Sequence, residues 1–319
     1  MKIMTPLNSL ESLDPLARAG ADEFYIGFYD RKWEQAFGGY ADINRMSGFG
    51  QAANRYSFEE IFYVAEAAQR AQRSLYVTLN ANVYRADQIA FICEHYLPGF
   101  ASAGVSGVIV SDEMTAKAVR AYGIDPVAST MCGIYNTDIA AEYEESGIRR
   151  MILPRDLSLQ EIEEITTRLP HIDFEVFHMR NGCIFSDSHC LGMHRKEYGG
   201  ICSTLAHSHR QFVQKNSDFH NRHSLYLTDY LYHNFLHRNA CGLCALYRMN
   251  KMNIKSLKIV GRADSAHKIC RDVELTKYNI QVAKQSISEE AYLSRMRFPE
   301  NSKHLCMLGF SCYYPEIRF

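Results

Sequence analysis

The sequence predicts one α/β domain, a (β/α)8 TIM-like barrel with a long Cys/His-rich insertion after strand seven. Short runs rich in Val, Ile, Tyr and Phe alternate with longer amphipathic stretches, as in repeated β/α units. Eight such runs can be placed, which is the strand number of this barrel. The length of 319 residues also suits a barrel of this kind as a single domain.

The eight candidate strands define the predicted domain limits. They lie at residues 2–6, 23–27, 75–79, 107–111, 126–130, 150–154, 173–177 and 256–261. Residues 1–285 are therefore predicted to form the barrel, including the 178–240 insertion, and residues 286–319 form a C-terminal tail without an assigned structure.

Helix signals lie between the strands. Ser9 and Gly20 suit the start and the stop of a first helix, and Ser57 with Glu60 has the spacing of a capping box. A last helix is predicted at residues 265–284. The connections after strands two and seven, residues 28–56 and 177–239, are too long for simple loops, and both would emerge on the catalytic face of the barrel.

Composition limits the classes of function. The chain has 47% hydrophobic and 22% charged residues, and no apolar run is long enough for a membrane helix. A formal net charge of −1 gives no global reason to expect nucleic-acid binding. The first 20 residues lack the features of a signal peptide, so we expect a cytoplasmic protein, in which clustered cysteines are metal ligands or catalysts more often than disulfides.

The cysteines are the clearest functional signal. Five of the ten lie between positions 183 and 244, as Cys183-x6-Cys190-x11-Cys202-x38-Cys241-x2-Cys244. Thiolates are soft ligands, so this group indicates an iron-sulfur cluster or zinc. Structural zinc usually takes two close pairs of ligands, and only Cys241 with Cys244 has that spacing. Buried free cysteines are the alternative without a metal.

Polar residues at strand ends form a second group of candidates, because such residues face the active site of a barrel. Arg155 and Arg262 are the most informative, since a guanidinium is a natural partner of a carboxylate or phosphate, although each could instead form a structural salt bridge. The predicted catalytic set is Arg155, Arg262, Glu175, His178 and Asn80, with Asp112 and Thr130 as weaker candidates.

Hydrolytic motifs are absent from the sequence. It contains neither G-x-S-x-G nor H-E-x-x-H. A Cys/His protease is kept as an alternative, because His178 or His189 could lie near Cys183. Five clustered thiols make a single activated nucleophile the poorer explanation.

Residues 175–190, EVFHMRNGCIFSDSHC, resemble the signature of the U-32 peptidase family, the collagenase-like proteases. Glu175 and Phe177 stand eight and six residues before the first signature cysteine, Cys183, and Cys190 stands seven after it. Phrases such as SLYVTLN, GVIVSD and SLKIVGR extend the resemblance over most of the chain.

The signature is matched with departures. Arg180, Asn181 and Gly182 stand where it has small residues, and Ser188 stands where it has glycine. These differences concern the subfamily and not the fold.

The resemblance implies more than proteolysis. The family includes proteins named as proteases and oxygen-independent hydroxylation factors that act on tRNA, rRNA or the ubiquinone ring. The latter carry a 4Fe-4S cluster on four cysteines, and some use prephenate as a co-substrate. Transferred to this chain, the ligands are Cys183, Cys190, Cys202 and Cys241, with Cys244 as the alternative fourth ligand.

We therefore expect an iron-sulfur enzyme or subunit that hydroxylates an RNA base or a quinone-like ring. The alternatives are a collagenase-like peptidase and a non-catalytic zinc or iron-sulfur scaffold. The expected partners are a small-molecule or RNA substrate and, in a heterodimer, a related family member.

Overall fold

The computed structural model describes residues 1–183, 186–188, 190, 240–300, 306 and 312–317. Ten strands occur in this part of the chain: β1 (Lys2–Pro6), β2 (Glu23–Ile26), β3 (Phe28–Tyr29), β4 (Tyr56–Ser57), β5 (Ser74–Leu79), β6 (Gly107–Val110), β7 (Pro126–Ala128), β8 (Arg150–Ile152), β9 (Asp173–Met179) and β10 (Ser256–Ile259). Eight of them close into a barrel in the order β1-β10-β9-β8-β7-β6-β5-β2, and all its neighbouring strands are parallel. The predicted barrel is confirmed.

The observed strands end slightly differently from the predicted ones. The predicted strand at 126–130 stops at Ala128, because Ser129 and Thr130 turn away into a 3-10 helix at Thr130–Cys132. The seventh strand runs two residues further than predicted, to Met179. The apolar residues in the sequence indicate where a strand lies, whereas the backbone hydrogen bonds between neighbouring strands determine where it ends.

Helices cover the outside of the barrel. They are α1 (Leu13–Ala19), α2 (Arg31–Phe37), α3 (Ile61–Arg70), α4 (Ala86–Phe91), α5 (Leu97–Ala103), α6 (Glu113–Ala121), α7 (Thr137–Glu145), α8 (Leu159–Arg168), α9 (Leu246–Lys251), α10 (Ala266–Gln285) and α11 (Glu289–Leu293). Gly20 ends α1 with a φ of 117°, as predicted from its place in the sequence. Ser57 and Glu60 exchange hydrogen bonds of 2.7 and 3.3 Å just before α3. None of the described helices combines the length and apolar composition needed to cross a membrane.

The long connection after β2 is folded. Its ends pair as the two-stranded parallel sheet β3-β4, and α2 lies between them. Trp33 of α2 is buried, and its indole Nε1 donates to the Ala41 carbonyl at 2.9 Å. The aromatic ring of Trp33 packs edge-on against Phe91 of α4. This connection is therefore held against the barrel by its own hydrophobic anchor.

Charged residues fill part of the barrel interior. Glu23 accepts hydrogen bonds from Arg150 at 2.9 and 2.5 Å, and Glu175 accepts from Arg150 at 2.6 Å and from Lys258 Nζ at 2.9 Å. All four side chains are buried. Burial alone would raise the pKa of Glu23, but the Arg150 contacts outweigh it and lower this pKa to about 2. The two carboxylates of the network are balanced by two cationic side chains.

Candidate functional site

The C-terminal end of β9 leads into the cysteine region through an irregular backbone. Phe177 lies opposite Lys258 and Met179 lies opposite Ile259, so His178 is the extra residue of a β-bulge. Arg180 and Asn181 then follow with φ values of 66° and 44°. This left-handed region favours glycine, and the family signature has small residues here. The strained turn directs the chain towards Cys183.

His178 is buried without a hydrogen-bond partner for its ring. Neither Nδ1 nor Nε2 has a partner within the described part of the chain, and the residue is 0% exposed. Burial lowers the pKa of His178 to about 3, so the imidazole is neutral at physiological pH. Its carbonyl accepts a 2.8 Å hydrogen bond from the Gly242 N–H, which brings the chain after the insertion back to β9.

Asp187, which lies between Cys183 and Cys190, is held by two arginines. Its carboxylate is 0% exposed and accepts from Arg155 Nε at 2.7 Å and from Arg45. Arg155 also donates to the carbonyl of Asn181 and stacks over the Phe177 ring, 4.2 Å from its centroid. Burial would raise the pKa of Asp187, but the two guanidinium groups outweigh this effect and lower it to about 2. Asp187 is thus ionised and doubly paired.

Further contacts hold the same segment over the barrel mouth. Asn82, from the connection after β5, donates to the carbonyl of Cys190 at 3.2 Å, and Tyr135, from the connection after β7, is hydrogen-bonded to Ser186. The Cys190 N–H donates to the Asp187 carbonyl at 3.2 Å. Cys190 is buried by this arrangement. Four βα connections, those after β2, β5, β7 and β8, therefore hold the segment around Cys190.

Cys241 lies beside the end of β9. It forms an isolated antiparallel bridge with Met179 and a parallel bridge with Cys312. The Tyr313 N–H donates to the Cys241 carbonyl at 3.0 Å. Burial raises the pKa of the Cys241 thiol to about 12, whereas a hydrogen bond with the Cys312 side chain is the main cause of the raised pKa of Cys244. Residues 312–317 of the predicted tail thus return to the barrel end.

Arg262 reaches the mouth from the end of β10, as the sequence predicts. Its Nη1 lies 3.2 Å from Asn54 Oδ1 and 3.4 Å from Thr78 Oγ1, and its Nη2 lies 3.1 Å from Asn44 Oδ1. These acceptors are neutral. Burial is the main cause that lowers the pKa of Arg262, to about 10, and nearby Arg45 lowers it further.

The other predicted strand-end residues occupy structural positions. Glu175 lies opposite Ser256, the first residue of β10, and belongs to the interior charge network. Asn80 donates from Nδ2 to Ser129 Oγ at 3.0 Å. Asp112 accepts from the Thr115 N–H at 2.8 Å and caps α6. Thr130 opens a 3-10 helix.

Two residues that matter at the mouth, Arg45 and Asp187, have no strong signal in the sequence. Arg45 is one of several charged residues scattered through a long loop, and Asp187 belongs to no motif of its own. The available signal for Asp187 was its position between two predicted ligands. Its pairing with Arg45, 142 residues away, depends on the closure of the barrel and leaves no local pattern.

The thiol donor set suits an iron-sulfur cluster in its chemistry. Cys183, Cys190 and Cys241 are described, whereas Cys202, His189, His194, His207 and His209 lie outside the described residues. Among the described residues, no group of three or more His, Cys, Asp or Glu side chains is arranged to hold a metal ion. Cys183, Cys190 and Cys241 are among these residues, so the structure does not bring these three thiols into one group, and the predicted fourth ligand, Cys202, lies outside the described residues.

Comparisons with known proteins relate the chain to two kinds of activity. A family model described as peptidase family U32 matches residues 8–316. The tRNA hydroxylation protein P1 of Bacillus subtilis is 25% identical over 281 residues, which cover 86% of this chain and 61% of that protein. A collagenase of Porphyromonas gingivalis is 24% identical over 164 residues, 51% of this chain and 35% of that protein.

A solved structure described as a U32 peptidase has a TM-score of 0.49 at 10% identity, over 82% of this chain and 92% of that one. The chain spans less than two thirds of the length of the curated relatives named above.

Proposed function

This chain belongs to peptidase family U32, and on that basis we propose that it is an iron-sulfur-dependent, oxygen-independent hydroxylation factor. Its substrate would be a tRNA or rRNA base or a quinone-like ring. The relative named tRNA hydroxylation protein P1, which aligns with 86% of this chain, favours the RNA base. Such a role would place the protein in the cytoplasm.

One observation carries the proposal: the predicted cluster segment is built into the barrel mouth. Asp187 and the Cys190 carbonyl are held by side chains from separate βα connections, and Cys241 pairs with the end of β9. Cys183 lies within electrostatic reach of Arg155 and Tyr313. Barrel enzymes carry their chemistry at this face.

The residues that would hold the cluster are Cys183, Cys190, Cys202 and Cys241, with Cys244 as the alternative for the last. When bound, the cluster would supply one-electron chemistry. The protein's own contribution is to position it: Arg45 and Arg155 fix the segment that bears the first two thiols. We retain three further predictions: zinc as the alternative metal, prephenate as a co-substrate, and a heterodimer with a related family member.

The peptidase alternative receives less support from this site. A Cys/His protease needs an imidazole that accepts the thiol proton. His178 is buried, lacks a partner among the described residues and has its pKa lowered to about 3, so it is a poor base for Cys183. His189, the other candidate, lies outside the described residues.

The proposal is tested on anaerobically purified protein. Iron and acid-labile sulfide should be present together with broad visible absorbance, and RNA from cells that lack the gene should lose a nucleoside carrying one extra oxygen atom. Restoring the gene should restore this nucleoside by mass spectrometry. Iron-free protein that cleaves casein or collagen would instead establish the peptidase.

A further inference from the structure

Arg262 is held in a fixed position by neutral groups. Asn44, Asn54 and Thr78, which accept its hydrogen bonds, are buried, and Asn44 Nδ2 also donates to Asn54 Oδ1 at 3.0 Å. The three acceptors orient the guanidinium plane without cancelling its charge. This arginine is therefore part of a built site and not a mobile surface side chain.

Gly27 provides the space for this arrangement. A Cβ atom at position 27 would lie 1.9 Å from Arg262 Nη1 and 2.2 Å from Asn54 Oδ1. No real side chain fits at such distances, so the guanidinium can pack along this backbone only because residue 27 is glycine. The position of Arg262 thus depends on β2 as well as on β10.

Three arginines at the mouth differ in their carboxylate partners within the described residues. Arg45 and Arg155 share the single carboxylate of Asp187. Arg262 has no carboxylate partner in the described part of the chain, and Arg45 lies close enough to repel it. Charges removed from water are normally paired, because an unpaired one is costly. Among the described residues, therefore, no carboxylate neutralises Arg262.

Arg262 also keeps donors for a ligand. A guanidinium has five N–H groups, and the contacts to Asn44, Asn54 and Thr78 involve only Nη1 and Nη2. Nε has no hydrogen-bond partner within the described residues. The planar edge of a guanidinium matches the two oxygens of a carboxylate.

We propose that Arg262, oriented by Asn44, Asn54 and Thr78, binds the carboxylate of a small-molecule ligand at the barrel mouth. A small molecule suits the site because Arg262 is partly buried and is bonded to Asn44 and Asn54 of the connection after β2. The ligand's role as substrate or co-substrate rests on the proposed function, whereas the presence of the anion site is independent of it.

Binding is tested by calorimetry and thermal unfolding of anaerobically purified protein with malonate, inorganic phosphate or sodium chloride at equal ionic strength. Malonate should bind saturably and raise the Tm, because a ligand that binds only the folded state stabilises it. Arg262→Gln should abolish this effect. Gly27→Ala, which keeps the arginine but displaces it, should weaken malonate binding by at least about tenfold, as expected for the loss of one charge-assisted contact.

Arg55→Gln is the matched control, since Arg55 is an exposed arginine of the same connection and should bind malonate like the unaltered protein. Malonate binding that persists in a folded Arg262→Gln variant would overturn the assignment. Saturable binding of phosphate without malonate would overturn the carboxylate class in favour of a phosphate-bearing ligand. Binding of neither anion would mean that the charge of Arg262 is already neutralised, and would also reject the site.

The result is separable from the proposed function. Iron-free protein that binds malonate through Arg262 would reject the cluster but retain the anion site. Iron-loaded protein that does not bind malonate would retain the cluster but reject the anion site.

Discussion

Arg155 donates from Nε to the buried carboxylate of Asp187 over 2.7 Å, so the two residues form an ion pair at the barrel mouth. The sequence predicts that Arg155 and Arg262 each lie at a strand end as a partner of a carboxylate or phosphate, or in a structural salt bridge. In the structure the two arginines differ: Arg155 is paired with Asp187, whereas Arg262 has no carboxylate partner among the residues that the structure describes. We therefore assign Arg155 to holding the cysteine segment and Arg262 to the ligand.

Asp187→Asn should destabilise the protein and lower its iron content. The substitution leaves Arg45 and Arg155 without their shared counter-charge, and removing one partner of a buried ion pair costs about 3 to 5 kcal/mol. Urea unfolding and iron analysis measure the two effects. Asp125→Asn is the control, because Asp125 is an exposed carboxylate that takes part in none of the contacts described at the barrel mouth. Unchanged stability in Asp187→Asn would show that the pair does not anchor the segment.

Replacement of Cys183, Cys190 or Cys202 by Ala should each remove the iron, because a cluster usually needs four cysteine ligands. Cys93→Ala should retain it, since Cys93 lies in a π-helical turn between α4 and α5. Iron and sulfide analysis of anaerobically purified variants decides the outcome. Full iron occupancy in Cys190→Ala would contradict the ligand set.

Cys241→Ala should lose iron, whereas Cys244→Ala should keep it. Cys241 pairs directly with Met179 at the end of β9, while the Cys244 thiol is engaged with Cys312. The same iron analysis distinguishes the two thiols. Iron lost only from Cys244→Ala would move the fourth ligand by three positions. Iron retained in both single variants would mean that either thiol suffices or that another group closes the site.

Stability should fall in acid because of Glu23. Its pKa is lowered to about 2 in the folded protein, so its stabilising effect is present above the ordinary pKa of 4.5 and is lost as the pH falls through about 2. A shift of this size corresponds to on the order of 3 kcal/mol. Glu23→Gln should therefore flatten the acid dependence of the unfolding free energy between these pH values. An identical pH profile would remove Glu23 as its source.

The sequence predicted the strands well and the pairing at the mouth poorly, for a physical reason. A buried strand needs apolar residues along its own length, so Leu75 to Leu79 identify β5 locally. The Asp187–Arg45 pair links residues that meet only after the barrel has closed. Similarly, the bulge at His178 arises from the register with β10, which no pattern within β9 records. The cysteine spacing and Arg262 stand out in the sequence because soft ligands and strand-end charges are chemically distinctive.

The interior charge network limits how a ligand can enter and leave the barrel. Glu23, Arg150, Glu175 and Lys258 block the barrel axis with tightly bonded, buried side chains, so the barrel is a closed cup and not a tunnel. A ligand seated at Arg262 must leave by the opening through which it entered. Two reactants that use this opening in turn would have to arrive and depart in a fixed order, with the deeper one entering first and leaving last.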